Sequence, residues 1–251
     1  MIDTHCHLDL AAFDADRDAV IARALAAGVD GILVPAIRPR TWAALGELVG
    51  RHTCLRAAYG IHPQIVPELH PDELADLEPR LAEACAGAIA VGECGLDGGT
   101  GEHERQSQIF RTHIRVARAL DKPLIVHVLR AHDAVPRILR EEGPVRGILH
   151  SYSGGPELVS IYAALGMAFS FAGPITYANA RRPIEAARAV PEDLLLVETD
   201  APDQAPEPHR PGRSEPAYVV AVIAGLATAR GRSPSEIATL TAANAHRLLV
   251  W

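Results

Sequence analysis

From one end to the other the chain alternates short apolar, β-prone runs with longer amphipathic ones, and the pair recurs eight times. Strands are expected over Met1–Thr4, Gly31–Pro35, Leu55–Tyr59, Ala88–Gly92, Pro123–Val126, Arg146–Leu149, Met167–Phe171 and Leu194–Glu198. Helices are expected over Ala15–Ala27, Pro39–Arg51, Pro71–Ala86, Glu102–Leu120, His132–Glu142, Pro156–Gly166, Arg181–Ala189, Glu215–Arg230 and Ser233–Val250. A helical stretch between successive strands is what a parallel crossover needs, because tight turns join only antiparallel neighbours. Eight such units in 251 residues match a single-domain (β/α)8 TIM barrel of the α/β class, spanning residues 1–251. An open doubly wound sheet would carry Gly-x-Gly-x-x-Gly after its first strand, and that signature is absent. Gly98-Gly99-Thr100-Gly101 follows an acidic motif and lacks the Gly-Lys-Ser/Thr of a phosphate loop.

Composition narrows the partners. With 48% hydrophobic residues the chain can fill a large core. Its 24 Lys and Arg against 31 Asp and Glu leave a net charge of −7, which speaks against a basic surface that coats nucleic acid. Any phosphate recognition is therefore local. Residues Met1 to His5 show neither the basic nor the apolar segment of a secretory leader, and the four cysteines, Cys6, Cys54, Cys85 and Cys94, form no C-x-x-C pair. Both features point to a cytoplasmic protein with reduced thiols. The uncharged stretch Leu158–Ala180 is broken by Gly166, Gly173 and Pro174, so no membrane span is expected.

In a barrel of this kind the reacting side chains come from the carboxyl ends of several strands. The first expected strand leads into His5-Cys6-His7, where period-2 alternation puts both imidazoles on one side and Cys6 on the other. The fourth leads into Glu93, the fifth into His127, the sixth into His150 and the eighth into Asp200. Four imidazoles and two carboxylates brought to one end would be costly to bury without a cation between them. Six ligands are too many for one tetrahedral ion, so two divalent ions sharing a carboxylate are expected, with Glu93 as the bridge. Imidazoles suit Zn²⁺, whereas carboxylates also admit Mg²⁺ or Mn²⁺.

The motifs Asp3-Thr4-His5-Cys6-His7-Leu8-Asp9, Gly60-Ile61-His62-Pro63, Gly92-Glu93-Cys94-Gly95-Leu96-Asp97, Gln106 with Phe110, His127, His150-Ser151-Tyr152-Ser153-Gly154, Glu198-Thr199-Asp200-Ala201-Pro202 and Asn244 run the length of the chain. In this order and spacing they resemble the TatD-like metal-dependent hydrolases of the amidohydrolase superfamily. Gly173-Pro174-Ile175-Thr176-Tyr177 together with Asp200-Ala201-Pro202-Asp203 is most similar to the YjjV-type branch.

The resemblance implies that His5, His7, Glu93 and Asp200 hold one ion, and that Glu93, His127 and His150 hold the other. It implies a deoxyribonuclease acting on DNA ends or on a small phosphorylated substrate, with Asp200 as general base and His62 reaching a substrate oxygen. Asp3 and Glu198 are expected behind the ligands or in structural roles, since ligating imidazoles pass their second N–H to a carboxylate or carbonyl. Members of the family carry an Arg two residues after the fifth-strand His. Here that position is Leu129, and Arg130 is the candidate phosphate contact. Ser214 and Asp203-Gln204 also depart from the family pattern. His209, Arg210, Arg213, Arg181 and Arg182 could form a phosphate clamp, against which stands a plain solvated face. Aromatic residues make up only 4% of the chain, so a short end or a small ligand is expected rather than a long stacked strand. Hydrolysis of another ester or amide, such as deacylation of an aminoacyl-RNA, would use the same groups, and a non-catalytic metal-binding protein is the contrasting class.

Overall fold

The computed structural model describes all 251 residues. Eight parallel strands pair in sequential order: β1 (Ile2–Asp3), β2 (Gly31–Pro35), β3 (Leu55–Tyr59), β4 (Ala90–Asp97), β5 (Leu124–Leu129), β6 (Gly147–Leu149), β7 (Met167–Phe171) and β8 (Leu195–Val197). Backbone bonds bring β1 and β8 together: the Thr4 N–H donates to Val197 O at 3.1 Å and the Asp200 N–H to His5 O at 2.9 Å. The ring is a nearly closed single-domain barrel. Around it run α1 (Arg17–Ala26), α2 (Trp42–Arg51), α3 (Pro71–Leu74), α4 (Leu77–Cys85), α5 (His103–Ala119), α6 (Ala134–Glu142), α7 (Val159–Ala164), α8 (Arg181–Ala189), α9 (Val219–Arg230) and α10 (Pro234–Leu249). None is long and apolar enough to cross a membrane, and the Leu158–Ala180 stretch resolves into α7, β7 and a 3-10 turn.

The alternation of strand side chains builds two apolar layers. Ile2, Leu33, Ala58, Ala90, Ile125, Ile148, Ala168 and Leu196, one from each strand, pack together inside the barrel, and Ala245, Leu248 and Leu249 of α10 join them. The end at which the strands begin is thereby closed. Their strand neighbours, among them Ile32, Val34, Val91, Val126 and Phe169, face the helices in a much larger cluster. The start of α10 is fixed by a capping box, in which Ser233 Oγ accepts the Glu236 N–H at 3.3 Å and the Glu236 carboxylate accepts the Ser233 N–H at 2.8 Å.

Most boundaries move by one to four residues, with β5 running on to Leu129 so that His127 lies within it, and two changes are larger. The run Pro71–Ala86 is not one helix, because Ala75 leaves α3 extended and Asp76 has φ +50° before α4 begins. The expected fourth strand stopped before Glu93, whereas β4 continues to Asp97. A bulge explains how it does so. Val91 and Cys94 pair with Leu124 and Val126, three steps on β4 against two on β5. Both face the outer layer, while Ala90 faces in. Strict alternation from Ala90 would turn Glu93 outward; the extra residue turns it inward. Gly95 (φ +135°) is needed here because a Cβ would lie 2.1 Å from His127 O.

Candidate metal centre

All six expected ligands meet at the mouth of the barrel, centred on Glu93, whose side chain is fully buried. Its two oxygens face different groups. Oε2 lies 3.2 Å from His5 Nε2 and 3.4 Å from His7 Nε2, whereas Oε1 lies 2.8 Å from His150 Nε2 and 3.2 Å from His127 Nδ1. Asp200 Oδ1 approaches the first pair, at 3.7 Å from His5 and 3.9 Å from His7. Cys6 is buried on the other side, in the layer between barrel and helices, as strand alternation requires.

The far nitrogens of three imidazoles face acceptors, and that of His7 is hydrogen-bonded to one. His7 Nδ1 is 3.1 Å from Pro35 O, His127 Nε2 is 3.4 Å from Asp97 Oδ2, and His150 Nδ1 is 3.4 Å from Glu198 Oε1. A neutral imidazole that gives its proton outward presents a bare lone pair inward. In that tautomer the inner nitrogens confront one another and a carboxylate, an arrangement that a positive charge among them relieves. His5 Nε2 and His7 Nε2 are 3.1 Å apart, and both oxygens of Glu93 are buried without a hydrogen-bond partner. The only charged partners of Glu93, Asp97, Glu198 and Asp200 are histidines, with no Lys or Arg among them. A divalent cation fits this donor set, since it would supply the missing positive charge.

The same demand shows in the ionisation of the groups. Burial pushes His5 down to about 4, so that it is neutral. Burial acts in the same direction on His150, but the Glu93, Glu198 and Asp200 carboxylates reverse it and raise the group well above its ordinary value. Burial, reinforced by Glu198 and Glu93 and opposed by His150 and His7, raises Asp200 to about 6. Asp3 does not reach an imidazole: its carboxylate accepts from Thr199 Oγ1 at 2.6 Å, Thr199 N–H at 3.0 Å and His5 N–H at 3.3 Å. It ties β1 to the chain beyond β8.

His62 also comes to the cluster, with Nε2 3.0 Å from Glu93 Oε1. The Gln64 N–H donates to His62 Nδ1 at 3.1 Å, so the neutral ring carries its proton on Nε2. This makes His62 a hydrogen-bond donor into the site, although it sits within ligand distance of Glu93 and His127. Arg130 is exposed and does not line the cavity above the cluster. The loop cations are engaged elsewhere: Arg213 bonds both oxygens of Asp16, Arg210 covers the Tyr177 ring and His209 stacks on Tyr218. Arg182 lies 3.9 Å from Glu157.

Two contacts were not expected. Asp97 lies two alternations beyond Glu93 on the same strand, so a longer reading of that strand would have found it. Gln204 donates through Nε2 to Asp200 Oδ2, while its Oε1 accepts from Ser151 Oγ at 2.8 Å. Nothing in the local sequence signals that relay, because it joins the loops after β6 and β8.

Residues 2–250 match the family described as TatD related DNase. A metal-dependent hydrolase of Bacillus subtilis, YabD, is 34% identical over 99% of this chain and 98% of its own length. The 3'-5' ssDNA/RNA exonuclease TatD of Erwinia tasmaniensis is 34% identical over 99% of both chains. The crystal structure of YjjV from Escherichia coli superposes with a TM-score of 0.92 at 32% identity, covering 100% of this chain and 98% of that one. A cation-demanding cluster at the mouth of an eight-stranded barrel, with these likenesses over its whole length, shows that the chain belongs to the TatD family of metal-dependent hydrolases.

Proposed function

We propose that this protein hydrolyses phosphodiester bonds, at the end of a DNA chain or in a small phosphorylated molecule, with two divalent ions at the mouth of the barrel. The observation that carries the reading is the division of Glu93, with one oxygen toward His5 and His7 and the other toward His127 and His150. His5, His7 and Asp200 would hold one ion, His127 and His150 the other, and Glu93 both. Such ions supply Lewis-acid activation of water and neutralise charge on the substrate. The name of the exonuclease relative lends support to nucleic-acid ends as the substrate.

In this reading Asp200 takes a proton at Oδ1, the oxygen turned toward His5 and His7, while Gln204 occupies Oδ2. His62 gives its Nε2–H to a substrate oxygen. Asp97 and Glu198 keep His127 and His150 in the tautomer that offers a lone pair.

The test is a panel of substrates on protein stripped with a chelator and reloaded with Zn²⁺, Mg²⁺ or Mn²⁺. It includes end-labelled single-stranded DNA, an aryl phosphodiester and carboxylic esters. Metal-dependent cleavage of the phosphodiesters supports the proposal; turnover confined to carboxylic esters overturns it.

A further inference from the structure

The cavity above the cluster has a volume of about 540 Å³, within the range of small-ligand sites, and no Lys or Arg lines it. Its charged groups are the histidines and carboxylates of the cluster, with Asp203 besides. The rest of the wall is largely apolar: Leu10, Ile37 and Ile65 come from the loops after the first three strands, Leu129 from β5, and Pro174 and Ile175 from the loop after β7. Leu129 is 37% exposed, so the end of β5 offers a hydrocarbon side chain to the mouth.

A site that tracks a nucleic-acid strand places Lys or Arg along the phosphates, and aromatic rings under the bases. No Lys or Arg lines the cavity, and its two aromatic rings, Tyr152 and Phe171, are themselves buried in the wall, 4% and 2% exposed, with no ring standing free in the cavity for bases to stack on. Leu129 and Ile65 offer a neighbouring phosphate no cation, and Asp203 would repel it. The chain's net charge of −7 adds to that repulsion. An uncharged flat or apolar group gains instead, by burying its surface against this wall.

Resting on the phosphodiesterase reading, we infer that the substrate is a phosphodiester with a single anionic charge, gripped through an uncharged flat or apolar group and not through neighbouring phosphates. A terminal or isolated linkage meets that description; a strand held along its backbone does not.

The test uses metal-reloaded protein and two probes. One is a dinucleoside monophosphate; the other is a single strand of about 12 nucleotides ending in the same two nucleosides, both assayed from about 50 to about 300 mM KCl. The expected result is a kcat/KM equal within about threefold for the two probes. The strand's log–log salt slope should be shallower than the about −0.7 that one Lys or Arg contact to a single strand produces. A preference for the strand of tenfold or more with a slope of about −2 or steeper would overturn the inference. Phosphorothioate analogues read binding independently of turnover. If neither phosphodiester is cleaved yet both analogues bind alike with a shallow slope, the reaction class fails and the uncharged grip stands. Leu129→Arg, which adds a cation to the wall, should steepen the strand's slope by about 0.7 and favour the strand over the dinucleotide. An unchanged slope in that variant would count against the wall as the path of the substrate.

Discussion

His127 Nδ1 lies 3.0 Å from His150 Nε2, and both atoms face Oε1 of Glu93. With the opposite nitrogens of the two rings turned to Asp97 and Glu198 in the tautomer that ligation requires, the facing nitrogens are both acceptors, and a cation between them relieves the approach. On the other side of Glu93, His5 Nε2 lies 3.1 Å from His7 Nε2, with His7 Nδ1 turned to Pro35 O and His5 Nδ1 buried without a partner. The mouth of the barrel is thus held together most favourably when it is loaded.

Loading should therefore stabilise the fold. Protein stripped with a chelator should melt at a lower temperature than protein given Zn²⁺ or Mn²⁺, and a metal present at a hundredfold over its Kd adds ~2.7 kcal/mol. Glu93→Gln should abolish most of that difference, since a neutral amide cannot bridge two cations. Scanning calorimetry on both proteins decides, and an undiminished metal-induced shift in the variant would remove Glu93 from the centre of the site.

Cys6 should be dispensable for the metal. Its side chain is buried in the layer behind the imidazoles, so Cys6→Ala removes packing and not a ligand. Metal content should stay at the wild-type level while stability falls by ~1–2 kcal/mol for the lost buried volume. Metal analysis by mass spectrometry on the folded variant is the check, and loss of an ion would place Cys6 in the site.

Much of this arrangement was legible because a barrel strand end is a fixed address. The ranges of β2, β3 and β7 coincide with the alternation of apolar residues, and His5, His7, His127, His150 and Asp200 follow apolar runs closely enough for their convergence to be foreseen. The bulge at β4 was not legible. Gly92-Glu93-Cys94-Gly95 has the composition of a turn, but pairing of Cys94 to Asp97 with Val126 to Leu129 keeps it in the sheet, and Gly95 permits the close passage against His127 O. Asp97 was lost with it. The cations of the last loop failed for another reason: a run of charge says nothing of which partner captures each member, and Asp16, far away in sequence, captures Arg213.

His113 gives the fold a pH dependence of its own. It is fully buried on α5, with Nδ1–H donating to Ile109 O at 2.8 Å and Nε2 accepting the Ile61 N–H at 3.1 Å, a pattern that only the neutral ring can make. Burial lowers its pKa from 6.5 to about 4. Between those values the unfolded chain binds the proton and the folded one does not, so stability rises with pH through this window and falls as pH drops. His113→Gln can keep a donor and an acceptor without titrating. In metal-free protein its loss of stability from pH ~7 to pH ~4.5 should be smaller than that of wild type by ~2 kcal/mol. Equal losses in urea titrations would show that the ring is not held neutral.

The last prediction separates the two parts assigned to Asp200. Oδ1 faces the nitrogens of His5 and His7, and Oδ2 takes the amide proton of Gln204. Asp200→Asn keeps an oxygen that can remain near the ion and removes the proton acceptor, so turnover should fall by ~10²–10⁴-fold. Metal content should fall far less, because His5, His7, Glu93, His127 and His150 are untouched. Gln204→Leu removes only the group that holds the second oxygen, so kcat should fall by about tenfold with KM little changed, since an interaction felt mainly in the transition state is lost. Metal stoichiometry, melting temperature and initial rate are to be measured on the same preparations. Were Asp200 merely structural, Asp200→Asn would lose metal or stability while the molecules still folded and loaded kept their rate, and Gln204→Leu would follow it in stability and not in kcat.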